Sequence, residues 1–357
     1  LSYLIQEKFQ DVQLISKKDL SPVTAADYGA QAVISLILFA HNCPCRLLGE
    51  EESITLALDE NKTVLETVVN AVNEIYPHNI FFHQCSSRRE DIRVPHVVLP
   101  WTAQDIIDAI KMGNINVGEI AENDFWVLDP IDGTKGFLRR GQYAIGLAFL
   151  RDNVPIIGII ASPKLPFFGW EDAAGEVPFL PGPEFIGSLF TASLGNGAYV
   201  EPLISNKDLS LADDVNLPPR RIHTSSTTNT ADIVFTESYE SEHTNRLLSD
   251  RLFHHLHIQK DPIRIDSMSK FGLLAQGDVQ LLMRLKTAPE MIWDQAPGNL
   301  IVTEAGGVVT DGNGHPLDFS TGKTLTNNKR VIVSANRSIH DKVIEALQIY
   351  GQVDDGL

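Results

Sequence analysis

No run in this sequence reaches the ~18 apolar residues that a membrane span requires. The densest, Ala30 to Ala40, is short and is interrupted by Gln31 and Ser35. Positive charge is also scarce: 29 Lys and Arg stand against 46 Asp and Glu, a net charge of −17. That balance excludes a nucleic-acid or membrane-surface binder relying on diffuse positive charge, so an anionic substrate would need bound cations and a few local Lys or Arg. Cysteine is nearly absent. Cys43, Cys45 and Cys85 are odd in number and lack zinc-site spacing, which points to a reducing intracellular compartment and reads Cys43-Pro-Cys45 as idle thiols. A soluble, cytoplasmic protein is expected. The chain opens on Leu1 rather than Met, so a plastid or mitochondrial address, removed with a transit peptide, is the alternative. No nucleophile-elbow pattern, internal repeat or long low-complexity segment occurs.

At 357 residues and 43% hydrophobic content, the chain is long enough for two packed subdomains. The polar stretch 204–219, ending in Pro218-Pro219, is the predicted hinge. In the first half, 1–217, residues 1–16 carry apolar positions at helical spacing and predict a packing helix. Thr24 is a predicted N-cap for a helix through Ala40, and helices follow over 61–76 and 102–112, the latter opened by a Thr102/Asp105 capping pattern. Apolar strands are predicted over 125–128, 143–150, 154–161, 187–193 and 197–200, giving an α+β subdomain with a mixed or antiparallel sheet; 163–186 reads as a surface loop. The second half, 218–357, alternates strand and helix up to a closing helix over 339–350, which predicts an α/β layered subdomain.

The chemistry centres on Asp129-Pro-Ile-Asp-Gly-Thr134. Here an apolar strand runs into two carboxylates, Asp129 and Asp132, with the Ile131 carbonyl between them as a further oxygen donor. Gly133 permits a tight turn, and the amides of Gly133, Thr134 and Lys135 can open into a phosphate nest. A second strand ends in Gly49-Glu50-Glu51-Glu52; three acids in a row are usually a solvated face, but their place directly after a strand and a glycine matches that of Asp129. Asp27, in a helix first turn, and Asp294, at a helix start, read individually as dipole or cap residues. Their combination with the strand-end acids is what suggests a cation site.

Taken together, Gly49-Glu50-Glu51, Asp129 to Thr134, Trp293-Asp294 with Gly298, and Glu304-Ala-Gly-Gly307 resemble the signatures of the inositol monophosphatase superfamily. Asp129 to Leu138, Ser21 to Tyr28 and Arg264-Ile-Asp-Ser-Met-Ser-Lys270 are most similar to its 3′(2′),5′-bisphosphate nucleotidase branch. The resemblance implies an αβαβα layered, sugar-phosphatase-like fold and a lithium-sensitive hydrolase. It also implies two or three Mg²⁺ held by Glu50, Asp129, Asp132, Asp294 and the Ile131 carbonyl, with Asp27 and Thr134 orienting the attacking water. Oxygen-only donors suit Mg²⁺.

For substrate, the branch resemblance implies that Asp266, Ser267 and Lys270 meet ribose and nucleotide phosphate, that Arg284 lies against base or phosphate, and that Glu237 and His243 line the same cleft. Alone, Lys270 reads as a solvated helix residue, Arg284 as a strand-edge charge and His243 as a surface histidine. The segment between Arg284 and Trp293 lacks the Tyr and Arg or Lys usual before the Trp. The expected reaction is hydrolysis of the 3′-phosphate of 3′-phosphoadenosine 5′-phosphate, with the phosphosulfate as a further substrate, by a monomer with no nucleic-acid or membrane partner. An inositol phosphate phosphatase, or a non-catalytic nucleotide sensor, is the alternative.

Overall fold

The computed structural model describes residues 1–2, 5–6, 14–16, 22–40, 46–75, 100–114, 124–167, 187–203, 218–239 and 245–351. By packing, the chain forms two compact units, Leu1–Arg140 and Gly141–Leu357. Among the described residues no helix is long and apolar enough to cross a membrane.

In the first unit, β1 (Leu14–Ser16) pairs antiparallel with β2 (Pro22–Thr24). The helix predicted over 1–16 therefore does not extend to its end: Leu14 sits opposite Thr24, a partner that local periodicity does not reveal. Helix α1 (Ala25–Ala40) starts directly after β2. Thr24 caps it, its hydroxyl accepting from Ala26 N at 3.0 Å. Beyond β3 (Arg46–Gly49) come α2 (Ser53–Leu56), α3 (Lys62–Ile75) and α4 (Ala103–Lys111). α4 has the predicted capping box between Thr102 and Asp105, which satisfies first-turn amides that the helix itself leaves unbonded. β4 (Asp124–Asp132) lies parallel to β3, with Gly49 opposite Leu128. α5 (Thr134–Leu138) follows at once. Helix α1 packs on β4, and α5 packs against β2.

The second unit begins with an antiparallel meander: β5 (Ala144–Arg151), β6 (Val154–Ser162), β7 (Gly187–Ser193), β8 (Ala198–Leu203) and β9 (Arg220–Ile222). The 151–153 loop between β5 and β6 is a tight hairpin in which Asp152 and Asn153 both take positive φ, 51° and 61°, values these residues tolerate better than most. Then come β10 (Phe235–Glu237), α6 (Arg246–Leu256), β11 (Ile263–Arg264), α7 (Ser269–Ala275) and β12 (Leu281–Arg284). The unit closes with α8 (Ile292–Glu304), β13 (Val308–Asp311), β14 (Val331–Ser334) and α9 (Arg337–Tyr350). These strands form a second sheet in the order β11-β10-β12-β14-β13, parallel over the first three and antiparallel over the rest.

Layering follows from which faces are apolar. On α9, Ile339, Val343, Ala346 and Leu347 recur at helical spacing and are buried. They join Leu248 and Leu252 of α6 and Phe235, Leu281, Met283 and Ile332 of the sheet in one core. On the other side α7 packs against β12 and α8 against β13, and both reach the meander, α8 most extensively at β6. Sheet, helix pair, sheet, helix pair is thus the order of layers within this unit. Gly298 on α8 and Gly272 on α7 allow the approach: a Cβ on either would run into the Phe271 or Phe190 ring respectively.

Candidate active site

Each unit carries one polar cluster at strand ends. In the first, β4 does not stop at Leu128 as its apolar run suggests but continues through Asp132, and the chain breaks only at Gly133, where φ is 85°. Proline's fixed φ is compatible with an extended strand end, so Pro130 leaves the geometry intact. Its pairing with β3 ends at Leu128, whose carbonyl accepts from Glu50 N at 3.2 Å. Glu50 is thereby set beside Asp129 at the ends of two adjacent strands. Asp129 is 2% exposed; its Oδ1 is buried and takes no hydrogen bond, the residue being engaged elsewhere.

The turn after Asp132 passes from left-handed Gly133 to helical Thr134, the backbone succession of an anion nest, with the first amides of α5, Thr134 and Lys135, following it. Thr134 Oγ1 donates to Ile131 O at 3.2 Å. Asp27 is buried at N3 of α1, where its Oδ2 accepts from Thr24 N at 2.8 Å and Thr24 Oγ1 at 2.7 Å. The capping role of this acid is real, and α5 packing against β2 brings the Thr134 helix against the strand that ends in Thr24.

Gln31 fixes Glu51, just beyond the end of β3, and was visible in sequence only as a polar interruption of an apolar run. Fully buried, it accepts from Glu51 N at 3.0 Å and donates to Glu51 O at 2.8 Å. Asn114 Nδ2 also donates to Glu51 O, at 2.8 Å. Gly49 is glycine because a Cβ there would lie 2.5 Å from Gln31 Oε1.

In the second unit, β10, β11 and β12 run parallel and end on one edge of their sheet, where ligands of open α/β sheets bind. Glu237 pairs with Arg264 at 2.8 Å. Asp266 and Ser267 are buried, and Ser267 has a φ of 70°. Lys270 is only 3% exposed; its ammonium donates to Ile265 O at 3.1 Å and Ser238 Oγ at 3.3 Å, so it is no solvated helix residue. Arg284 stands at the end of an interior strand, not an edge, and is gripped twice by Glu290: Nε to Oε1 at 3.2 Å and Nη2 to Oε2 at 2.6 Å. Glu290 is held in turn, its carbonyl accepting from Leu325 N at 2.8 Å. It lies in the segment that looked depleted of useful groups, and nothing in its spacing marked it. Asp294 is in the first turn of α8. His243, Cys43, Cys45 and Cys85 lie outside the described residues.

In the first unit Glu50, Asp129, Asp132 and the Ile131 carbonyl offer oxygen alone, a donor chemistry that suits a hard divalent cation. Among the described residues, no three His, Cys, Asp or Glu side chains are gathered closely enough to form a ready-made cage.

With strand-end acids beside a phosphate-type turn, in a sheet–helix–sheet–helix layering, the comparisons agree. The inositol monophosphatase family model matches residues 19–352, and the chain belongs to that family. Arabidopsis thaliana 3′,5′-bisphosphate nucleotidase 2 is 36% identical over 341 residues, 94% of this chain and 89% of the relative. The 3′(2′),5′-bisphosphate nucleotidase of Schizosaccharomyces pombe is 35% identical over 349 residues, 96% and 88% of the two chains. Among solved structures, the extragenic suppressor protein suhB of Bartonella henselae superposes with a TM-score of 0.57 at 19% identity, covering 97% of this chain and 92% of its own. An IMPase/NADP phosphatase, solved with NADP and Ca²⁺ and also with Mg²⁺ and phosphate, gives TM-scores of 0.55 and 0.54 at 15% identity, covering 97% of this chain and 90% of its own. These likenesses establish the layered α+β fold.

Proposed function

We propose that the protein is a Mg²⁺-dependent 3′(2′),5′-bisphosphate nucleotidase that removes the 3′-phosphate of 3′-phosphoadenosine 5′-phosphate, and of its phosphosulfate counterpart, to leave the 5′-nucleotide. The observation that carries the reading is identity of 33–36% to proteins of that name over almost the whole chain, joined to a strand-end acid set suited to a hard cation. Glu50, Asp129, Asp132, the Ile131 carbonyl and Asp294 would hold two or three Mg²⁺. When bound, Mg²⁺ supplies charge neutralisation at phosphate and a more acidic water.

The protein's own groups do the rest. Gly133, Thr134 and Lys135 receive the equatorial phosphate oxygens. Asp27, placed at the start of α1 by its bonds with Thr24, holds the attacking water, and the Thr134 hydroxyl orients that water by leaving the Ile131 carbonyl. Asp266, Ser267, Lys270 and Arg284, with Glu237 and His243, receive the nucleotide. On this reading the functional division is 1–217 for metal and phosphate and 218–357 for substrate, in a monomer.

The test is phosphate release from 3′-phosphoadenosine 5′-phosphate against inositol 1-phosphate, with Mg²⁺ present or chelated and with Li⁺ added. Mg²⁺-dependent, Li⁺-inhibited release from the nucleotide is expected. Release from the inositol phosphate alone would replace the proposal by an inositol phosphatase, and tight nucleotide binding without turnover by a sensor.

A further inference from the structure

Helix α5, Thr134–Leu138, is little more than one turn long, far below the ~12 residues at which a helix begins to hold its shape unaided. Left-handed residues flank it on both sides, Gly133 at φ 85° and Arg140 at φ 58°. Glycine takes that conformation freely; an arginine does not. The groups that fix this turn must therefore come from elsewhere in the chain.

One of them comes from the segment before β1. Gln6 Nε2 donates to Phe137 O at 2.9 Å, across 131 residues of sequence. The Phe137 carbonyl also accepts from Arg140 N at 3.0 Å, so both its lone pairs are used. A carbonyl can only accept, so the amide nitrogen of Gln6, and not its oxygen, faces Phe137. Gln6 is 2% exposed and Phe137 1%, which keeps water from competing for the bond. The other half of the amide works against the fold: Gln6 Oε1 is buried and takes no hydrogen bond among the described residues, a loss that an apolar side chain would not incur. Methionine or leucine would fill nearly the same volume. Stability alone thus gives no reason for glutamine at position 6, whereas the hold of its nitrogen on α5 does.

We propose that Gln6 is a positioning residue for the reaction: by pinning the Phe137 carbonyl it keeps the turn that carries Thr134 and Lys135 fixed at the strand end of Asp132. Gln6 meets no substrate and acts only through α5. This rests on the reading of that turn under the proposed function, and it adds the segment before β1 to the groups on which turnover depends. Without the bond the core stays filled, but α5 is free to rock and the Thr134 hydroxyl spends less of its time in place.

The experiment uses Gln6→Met and Gln6→Leu in the full chain at saturating Mg²⁺. It measures steady-state hydrolysis of 3′-phosphoadenosine 5′-phosphate, competitive inhibition by inorganic phosphate and by 5′-AMP, and thermal melts. In both variants kcat falls and the inhibition constant for phosphate rises, each by about five- to tenfold, the size of one net hydrogen bond. The constant for 5′-AMP, which lacks the 3′-phosphate, moves less than about twofold, and the melting temperature does not fall. A folded variant with wild-type kcat overturns the proposal, as does an equal rise in both inhibition constants, which marks general loosening. If neither variant folds, Gln6 serves stability alone and the proposal falls. A wild type that releases phosphate only from inositol 1-phosphate defeats the nucleotidase reading, and Gln6 is then judged by kcat on that substrate. Hydrolysis of neither substrate by the wild type defeats both.

Discussion

Replacing His340 with glutamine isolates a pH-dependent part of the stability. His340 is 1% exposed in α9, with Nε2 2.9 Å from Thr310 Oγ1 and Nδ1 3.2 Å from Ser334 Oγ. Burial, reinforced by the Arg337 charge and opposed by Asp341, lowers its pKa from 6.5 to about 4. The folded protein thus holds the ring neutral, while an unfolded chain protonates it below 6.5. The stabilisation is fully present above that value and is lost as pH falls toward 4. The difference, 6.5 − 4 or about 2.5 pH units, at 1.36 kcal/mol per unit sets a ceiling of about 3 kcal/mol. Urea unfolding of the wild type and His340→Gln at pH 7, 6, 5 and 4.5 measures it. Carboxylates titrate in the same range in both proteins, so the quantity to follow is the gap between the two. The wild type should lose ground to the variant steadily from pH 6.5 downward, and a gap constant over that range would refute the reasoning.

Three further outcomes are expected. Asp132→Asn should lower turnover by about a hundredfold or more through weaker cation binding without lowering the melting temperature; a near-normal rate would place the metals elsewhere. Glu290→Gln removes the carboxylate that grips Arg284 on two sides and should raise KM for the nucleotide severalfold with kcat within about twofold, whereas equal loss in both would move Arg284 to the chemical step. Glu304→Gln disrupts a clamp in which the two carboxylate oxygens accept from Gly195 N and Gly197 N, each at 2.7 Å. Denaturant titration should show a loss of about 1–2 kcal/mol, discounted for the partial exposure of the turn.

Local signals in the sequence were read well. The Thr24 and Thr102 caps, the 151–153 hairpin and the strand–helix alternation of the second half all depend on near neighbours, and all are present. Misreadings came where a distant partner decides. Leu14–Ser16 has helical spacing but pairs with Pro22–Thr24. Arg284 looked like an edge charge because the strands flanking β12 come from positions 46 or more residues away. Of the candidate site, the acids stand out in the sequence by motif and order, while the residues that hold its groups do not. Gln31 and Glu290 act through contacts that no spacing rule encodes.

The grip of Gln31 on Glu51 has a mechanical consequence. Gln31 and Asp27 are four residues apart on α1, one turn along the same face of one helix. The side chain proposed to hold the water and the one that anchors the Glu50 strand end are thus carried on a single rod. A slide or twist of α1 moves both at once, so the spacing between water and cation depends on the stiffness of one helical turn and not on the slack of the loops around it.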